Sequence, residues 1–454
     1  MKNHEGSAVP QSEGDVNLSS ARAVWQREHL NEETRQLLEE DARWFLHQSL
    51  SSPCLNVLSG CEGSFLIDTQ GRRYLDFHGN NVHQVGFGHP RVKEAAAEAM
   101  GQLPFCTRRY TNRYAIALAR KLAGISPGNL NKCLFAPGGA EAISMAIKLA
   151  RLATGRFKTI SLWDSFHGAT LDTISLGGEL LFRGGMGPLL PGAEHVPPPE
   201  PQRCPFHCGQ SCTLQCADYV EYVLQREGDV AAVVAETVRS TGTIPPQDYW
   251  RRIRSICDRY GALLILDEIP HGLGRTGSMF TCEHYGVVPD MLVIGKGLGG
   301  GSLPLAALLA REDLDMGGQH ALGHFTHEKN PVLCAAALAT IEVIETEELP
   351  ARAARLGTRF LGQLLELQHR HSLIGDVRGL GLLTALPLRR PDGSPAGAEA
   401  EKIMYAALSR GLSFKTAMGN TIVLTPPLNI EEEHLNTAVE ILDASFSELQ
   451  QAGQ

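Results

Sequence analysis

The sequence predicts an α/β protein, with a large domain built on a mostly parallel, helix-covered sheet and a smaller α+β domain beside it. Two patterns carry this reading. From about Val92 onward, apolar runs of strand length alternate with longer stretches of helical period. The strand at Ala231–Ala235 also leads through a helical stretch, Tyr249–Tyr260, to a strand ending at Asp267. A crossover of a dozen or more residues is what two parallel neighbours require. With 454 residues, 43% hydrophobic and 20% charged, the chain is long enough and apolar enough for a sizeable core.

In chain order, Met1–Ser20 is polar and expected to be flexible. Ala21–Leu50 mixes apolar and charged residues in a helical pattern and reads as part of a loose N-terminal arm. Phe65–Asp68 and Tyr74–Phe77, split by the turn TQGR, form a β-hairpin of the small domain. Helices are expected around Val92–Met100, Ala115–Leu122 and Ala140–Ala153. Strands follow around Lys158–Leu162, Ala231–Ala235, Leu263–Leu266, Met291–Ile294 and Leu305–Leu309, and Asn330–Glu345 is a long helix. The expected organisation is a flexible segment over 1–20, the arm and part of the small domain over 21–90, the large domain over 91–330 and the rest of the small domain over 331–454. No internal repeat is present.

Charge and composition exclude several classes of partner. A net charge of −9 with no basic stripe argues against nucleic acid, whose binding needs phosphate neutralisation. No apolar run reaches the ~18 residues of a membrane span, and Met1–Ser20 lacks the apolar core of a signal peptide. The expectation is a cytoplasmic protein that does not bind membranes. Eleven cysteines, an odd number scattered along the chain, suit reduced thiols. Cys204, Cys208, Cys212 and Cys216 stand at uniform spacing with His207 among them. Structural zinc favours tighter pairs separated by a longer loop, so reduced thiols and no metal are the favoured reading, with zinc the alternative.

The chemistry gathers at strand ends. Lys296 follows the apolar run Met291–Ile294 and precedes the glycine-rich GLGGG, which puts its amine at the mouth of a partly desolvated cleft. Such surroundings favour Schiff-base chemistry. Asp267 closes the apolar strand Leu263–Leu266, where an acid is costly to bury without a cationic partner. A protonated pyridine nitrogen is such a partner, and lysine with acid is the pairing that pyridoxal phosphate needs. Gly138 and Gly139 precede a helix whose apolar residues Ile143, Ala146, Ile147 and Ala150 share one face. Its N-terminal amides and dipole suit a dianionic phosphate near Gly139–Ala140. In SFHGAT, Phe166 is placed to stack on a flat heteroaromatic ring.

From roughly Phe65 to Ile430, these features resemble the class III, ornithine-aminotransferase-like group of fold-type I pyridoxal phosphate enzymes. The motifs GGAEA, FHG, AETV, DEIPHGLGRTG, GKGLGGG and KNP occur in the family's order. The resemblance implies that Lys296 forms the Schiff base and that Asp267 pairs with the pyridinium. Phe166 would be the stacking ring, Ile269 the apolar contact on the opposite face, and Gly139 and Ala140 the phosphate amides. His167 and Glu236 fall in the cofactor-contacting motifs FHG and AETV. Thr326 matches the threonine that reaches the phosphate of the neighbouring subunit, which implies a homodimer with shared sites.

Departures from the family pattern bear on substrate. In members that bind amino-acid carboxylates, an arginine precedes the Thr-Pro-Pro-Leu element, whereas TIVLTPPL has Val423 there. The motif E-P-V-Q-G-E reads ETVRST, placing Thr241 at the position of the acid that often pairs with that arginine, and adding Arg239, a candidate substrate-binding residue. Losing both partners is coherent, since a lone buried charge would be costly. DEVQTG becomes DEIPHG, so Pro270 replaces a side chain that touches the cofactor's phenolic oxygen and leaves that oxygen to His271 or a water. Arg108 and Arg109, in PFCTRRYTN, offer a replacement anion site, because paired guanidinium forks suit a tetrahedral dianion. His83, in FHGNNVHQVG, reads as structural.

The segments FHGNNVHQVG, LPFCTRRYTN and GHFTHEKNP are similar to those of ammonia-lyases of phosphonate catabolism within this family. That similarity implies a lyase taking a small anionic amine, a hydroxylated aminophosphonate, to an aldehyde and ammonia. An aminotransferase, a phospho-lyase acting on an amino-alcohol phosphate and a cofactor-binding regulator are the alternatives. The first must hold a keto-acid carboxylate without the arginine. The last is disfavoured by the intact Lys296 and Asp267.

Overall fold

The computed structural model describes residues 19–208 and 212–452. The segment expected to be flexible lies outside them, apart from Ser19, which caps the first helix, and Ser20, which opens it. The helical stretch expected over Ala21–Leu50 is two helices, Ser20–His29 and Glu32–Trp44. Leu30 is extended, and the Asn31 side chain accepts from Thr34 N to start the second helix, an N-cap that ends one helical run and begins another.

Strands β1 (Leu58–Glu62), β2 (Phe65–Asp68) and β3 (Arg73–Asp76) form an antiparallel meander. The expected hairpin is β2–β3, in the register Phe65↔Leu75 and Ile67↔Arg73.

The central sheet comprises β4 (Lys132–Ala136), β5 (Lys158–Leu162), β6 (Ala193–Val196), β7 (Val230–Glu236), β8 (Leu263–Asp267), β9 (Met291–Ile294) and β10 (Ala306–Ala310). Its order is β4-β10-β9-β8-β7-β5-β6. Pairings from β9 through β8, β7 and β5 to β6 are parallel. The last strand in sequence, β10, is antiparallel to both β9 and β4. Its predecessor leaves through the tight Lys296–Gly299 turn rather than a crossover helix, and a short return reverses direction.

Alternation along β8 and β9 shows why this sheet is covered on both faces. Ile265 and Val293 pack with Ile143, Ala146, Ile147 and Ala150 of the helix Gly139–Thr154. Leu264, Leu266, Leu292 and Ile294 face the opposite layer, which includes Trp250, Ile253 and Ile256 of the helix Tyr249–Tyr260. Each such buried side chain contributes about 1.5–3 kcal/mol relative to exposure. Runs that are apolar at every position follow from burial on both faces.

The long helix expected from Asn330 runs over Pro331–Thr346. Asn330 is its cap, accepting from Val332 N at 2.9 Å, and Pro331 occupies the first turn, where no amide donor is needed. Beyond it, β11 (Arg378–Leu380), β12 (Leu383–Pro387), β13 (Leu412–Ser413), β14 (Lys415–Ala417) and β15 (Thr421–Leu424) complete the strands. β11, β12, β15 and β14 make an antiparallel sheet in that order, while β13 joins β3 in parallel. The C-terminal residues thereby complete a sheet begun near the N-terminus. No helix among the described residues is long and apolar enough to cross a membrane.

Candidate active site

Three strands of the central sheet end at one place. In the β7–β8 register Glu236 lies beside Asp267, and Asp267 lies beside Val293 of β9, just before Lys296. Lys296 takes a left-handed backbone, φ 46°, at the head of the Lys296–Gly299 turn. A non-glycine residue held there costs free energy, and such strain clusters at functional sites. Glu236, Asp267 and Lys296 line one cavity of about 510 Å³, at the C-terminal strand ends where open α/β sheets bind ligands.

Asp267 is buried and oriented from both oxygens. Oδ2 accepts from Nδ1 of His167 at 2.8 Å, and Oδ1 accepts from the Ile269 amide at 3.0 Å. His167 also meets Ser161 Oγ at 3.4 Å through Nε2. Glu236 Oε2 accepts from the Phe166 amide and from Arg239 Nε, each at 3.3 Å. Burial pushes the Glu236 carboxyl upward, against the opposing pull of Arg239. Arg239 is itself buried between Glu236 and Glu179, 3.8 Å away, and does not line the cavity. Its charge is set against these two acids.

The same cavity holds an anion cup. Gly138 caps the helix Gly139–Thr154 from an extended conformation with no side-chain cap, leaving first-turn amides for a ligand. Gly138, Gly139 and Ala140 line the cavity. A Cβ on Gly139 would come within 2.7 Å of Ile269 Cδ1, and one on Gly168, at φ +131°, within 2.5 Å of Ala140 Cβ. The cup therefore requires glycine at 168, whereas at 139 a Cβ would have to displace the end of the Ile269 side chain. Phe166 and Ile269 are also on the wall, and Phe182 backs Phe166 with ring centroids 4.3 Å apart. A lysine amine, a buried carboxylate, a phosphate cup and flat apolar walls around one cavity fit pyridoxal phosphate. The cofactor would supply an electron sink for a carbanion beside the substrate nitrogen.

Arg108, Arg109 and Thr326 are exposed and do not line this chain's cavity. The fold nonetheless packs their segments together. Asn112 Nδ2 donates to Lys329 O at 2.9 Å, Asn330 Nδ2 donates to Pro104 O at 3.4 Å, and Phe105 meets His327 edge-on at 5.3 Å. His83 is fully buried beside Asp76, as a structural residue would be. His271 is off the cavity wall, with Nδ1 on Thr281 Oγ1 at 3.0 Å and its pKa pulled down to about 3 by burial, whereas Pro270 is on the wall.

Two residues escaped the sequence reading. Ser240 lines the cavity, and the only signal for it was that ETVRST departs from its motif here too. Lys415, buried on β14, pairs in register with Val423. Directly opposed residues share a face, so a cation stands beside Val423, and only strand pairing reveals it. All eleven cysteines are free thiols, and among the described residues no three His, Cys, Asp or Glu are grouped to hold a metal.

The model of the aminotransferase class-III family matches residues 48–446. The chain belongs to the class-III aminotransferase family. Within it, the chain is 45% identical over 456 residues to the (R)-1-hydroxy-2-aminoethylphosphonate ammonia-lyase of Vibrio splendidus, covering 96% of this chain and 95% of that one. It is 35% identical to the acetylornithine aminotransferase of Methanothermobacter thermautotrophicus, covering 92% and 100%. Among solved structures, an amine transaminase from an uncultivated Pseudomonas species in its PLP-bound form superposes with a TM-score of 0.84 at 32% identity, covering 89% and 98%. The class-III fold is thus fold type I, and pyridoxal phosphate is its cofactor.

Proposed function

We propose that this class-III enzyme is an ammonia-lyase acting on a small hydroxylated aminophosphonate, (R)-1-hydroxy-2-aminoethylphosphonate, in phosphonate catabolism. The observation that carries the reading is the vacated carboxylate clamp. Val423 is buried where an arginine would stand, and Thr241, also buried, replaces its acid. An aminotransferase must hold a keto-acid carboxylate in each cycle, and this chain lacks the pair that does so. The likeness to the Vibrio splendidus lyase supports the same choice.

In this reading, Lys296 removes a proton from the carbon bearing the amine, and the hydroxyl on the adjacent carbon leaves as water. Hydrolysis of the resulting unsaturated amine regains that water, so the net products are phosphonoacetaldehyde and ammonia. Asp267, fixed by His167 and the Ile269 amide, keeps the electron sink charged. The phosphonate is held by Arg108 and Arg109, brought with Thr326 into the site of a partner subunit in a homodimer. Incubating the holoenzyme with the hydroxylated aminophosphonate and no keto acid should release ammonia stoichiometrically. Turnover that requires pyruvate or 2-oxoglutarate, with nitrogen recovered in alanine or glutamate, would replace the lyase by the aminotransferase.

A further inference from the structure

Pro270 lines the cavity with no hydrogen to donate, which leaves the phenolic oxygen of the cofactor in need of a partner. On the pyridine ring, the carbon linked to lysine is opposite the ring nitrogen, and the phosphate arm and phenolic oxygen occupy opposite edges. Lys296, Asp267 and the Gly139–Ala140 cup take the first three of these positions, so the phenolic oxygen meets a part of the cavity wall away from the cup.

β7 and the turn after it put two polar side chains on the cavity wall, Glu236 and Ser240. Glu236 is already an acceptor, for the Phe166 amide and Arg239, and a carboxylate cannot serve a phenolate. Ser240 is 5% exposed, and no described residue bonds its hydroxyl. Its position is fixed by a tight turn, with Arg239 N donating to Thr243 O and Gly242 N to Arg239 O, both at 2.9 Å. Gly242, at φ +87°, has no room for a Cβ, which would fall 2.1 Å from Ala385 Cβ. We propose that Ser240 donates the hydrogen bond to the phenolic oxygen of pyridoxal phosphate that Pro270 cannot make.

The proposal holds whether the enzyme is a lyase or an aminotransferase. A phenolate deprived of its donor holds the proton of the lysine-linked imine more tightly. In holoenzyme carrying Ser240→Ala or Ser240→Gly, the pH midpoint of the visible absorption change should rise by about one to two units, the equivalent of a hydrogen bond to a charged group. Ser240→Thr, which keeps the hydroxyl, should stay near the wild-type midpoint. Glu236, Asp267, His167 and Lys296 are the other titratable groups on this cavity, and all are retained in these variants. As a second measure, Ser240→Ala should weaken binding of pyridoxal phosphate severalfold and leave that of its 3-deoxy analogue unchanged. An unmoved midpoint, or equal loss for both cofactors, overturns the assignment.

Discussion

His167 donates through Nδ1 to Oδ2 of Asp267 at 2.8 Å, with both side chains buried. The pair explains how an acid survives at the end of an apolar strand. The imidazole and the Ile269 amide occupy the carboxylate and aim it, while the neighbouring wall of the cavity stays available to a cationic ring. A carboxylate so anchored is preorganised, needing no rearrangement when charge develops in the ring.

Lys296 is expected to be the residue that carries the cofactor. Borohydride reduction of the holoenzyme followed by peptide mapping should label Lys296 alone. Lys296→Ala should abolish turnover while the protein still folds, and a label on another lysine would displace the assignment.

Thr326 is exposed in the single chain and absent from its own cavity, and the proposed homodimer would bring it to the site of a partner. Mixing inactive Lys296→Ala with an inactive Thr326→Ala variant should restore activity through hybrid dimers. No recovery despite verified subunit exchange would mean that each site is complete within one chain.

Arg108 and Arg109 ride on the segment packed against the Thr326 loop. Replacing either with alanine should lower kcat/KM for the aminophosphonate about ten- to a hundredfold, as for one lost charge-assisted bond of roughly 1.5–3 kcal/mol. Unchanged kcat/KM in both variants would shift the anion site elsewhere, with Lys415 the next residue to test.

Asp76 should make stability fall as pH rises. Burial raises its pKa to about 7, while His83, 3.9 Å away, is pulled down to about 3 by burial and so brings no charge. A carboxyl whose folded pKa exceeds its unfolded value near 4 contributes stability that is complete below pH 4 and lost as pH rises through 7. The melting temperature of Asp76→Asn relative to wild type should therefore climb between pH 4 and pH 7. A constant difference across that window would show that Asp76 is ionised throughout.

The sequence by itself determined the parallel core, because strands buried on both faces must be apolar at every position, as Leu263–Leu266 and Met291–Ile294 are. It also determined the cofactor chemistry, since a lysine before GLGGG and an acid closing an apolar strand are costly unless used. Only the tertiary structure decided what depends on pairing between distant segments. It set Lys415 opposite Val423, enclosed Arg239 between Glu179 and Glu236, and moved Arg108, Arg109 and Thr326 off their own chain's cavity. The reason is physical: burial on a strand is written in local periodicity, whereas which charge meets which is fixed by strand order and register, set by the packing of the whole chain.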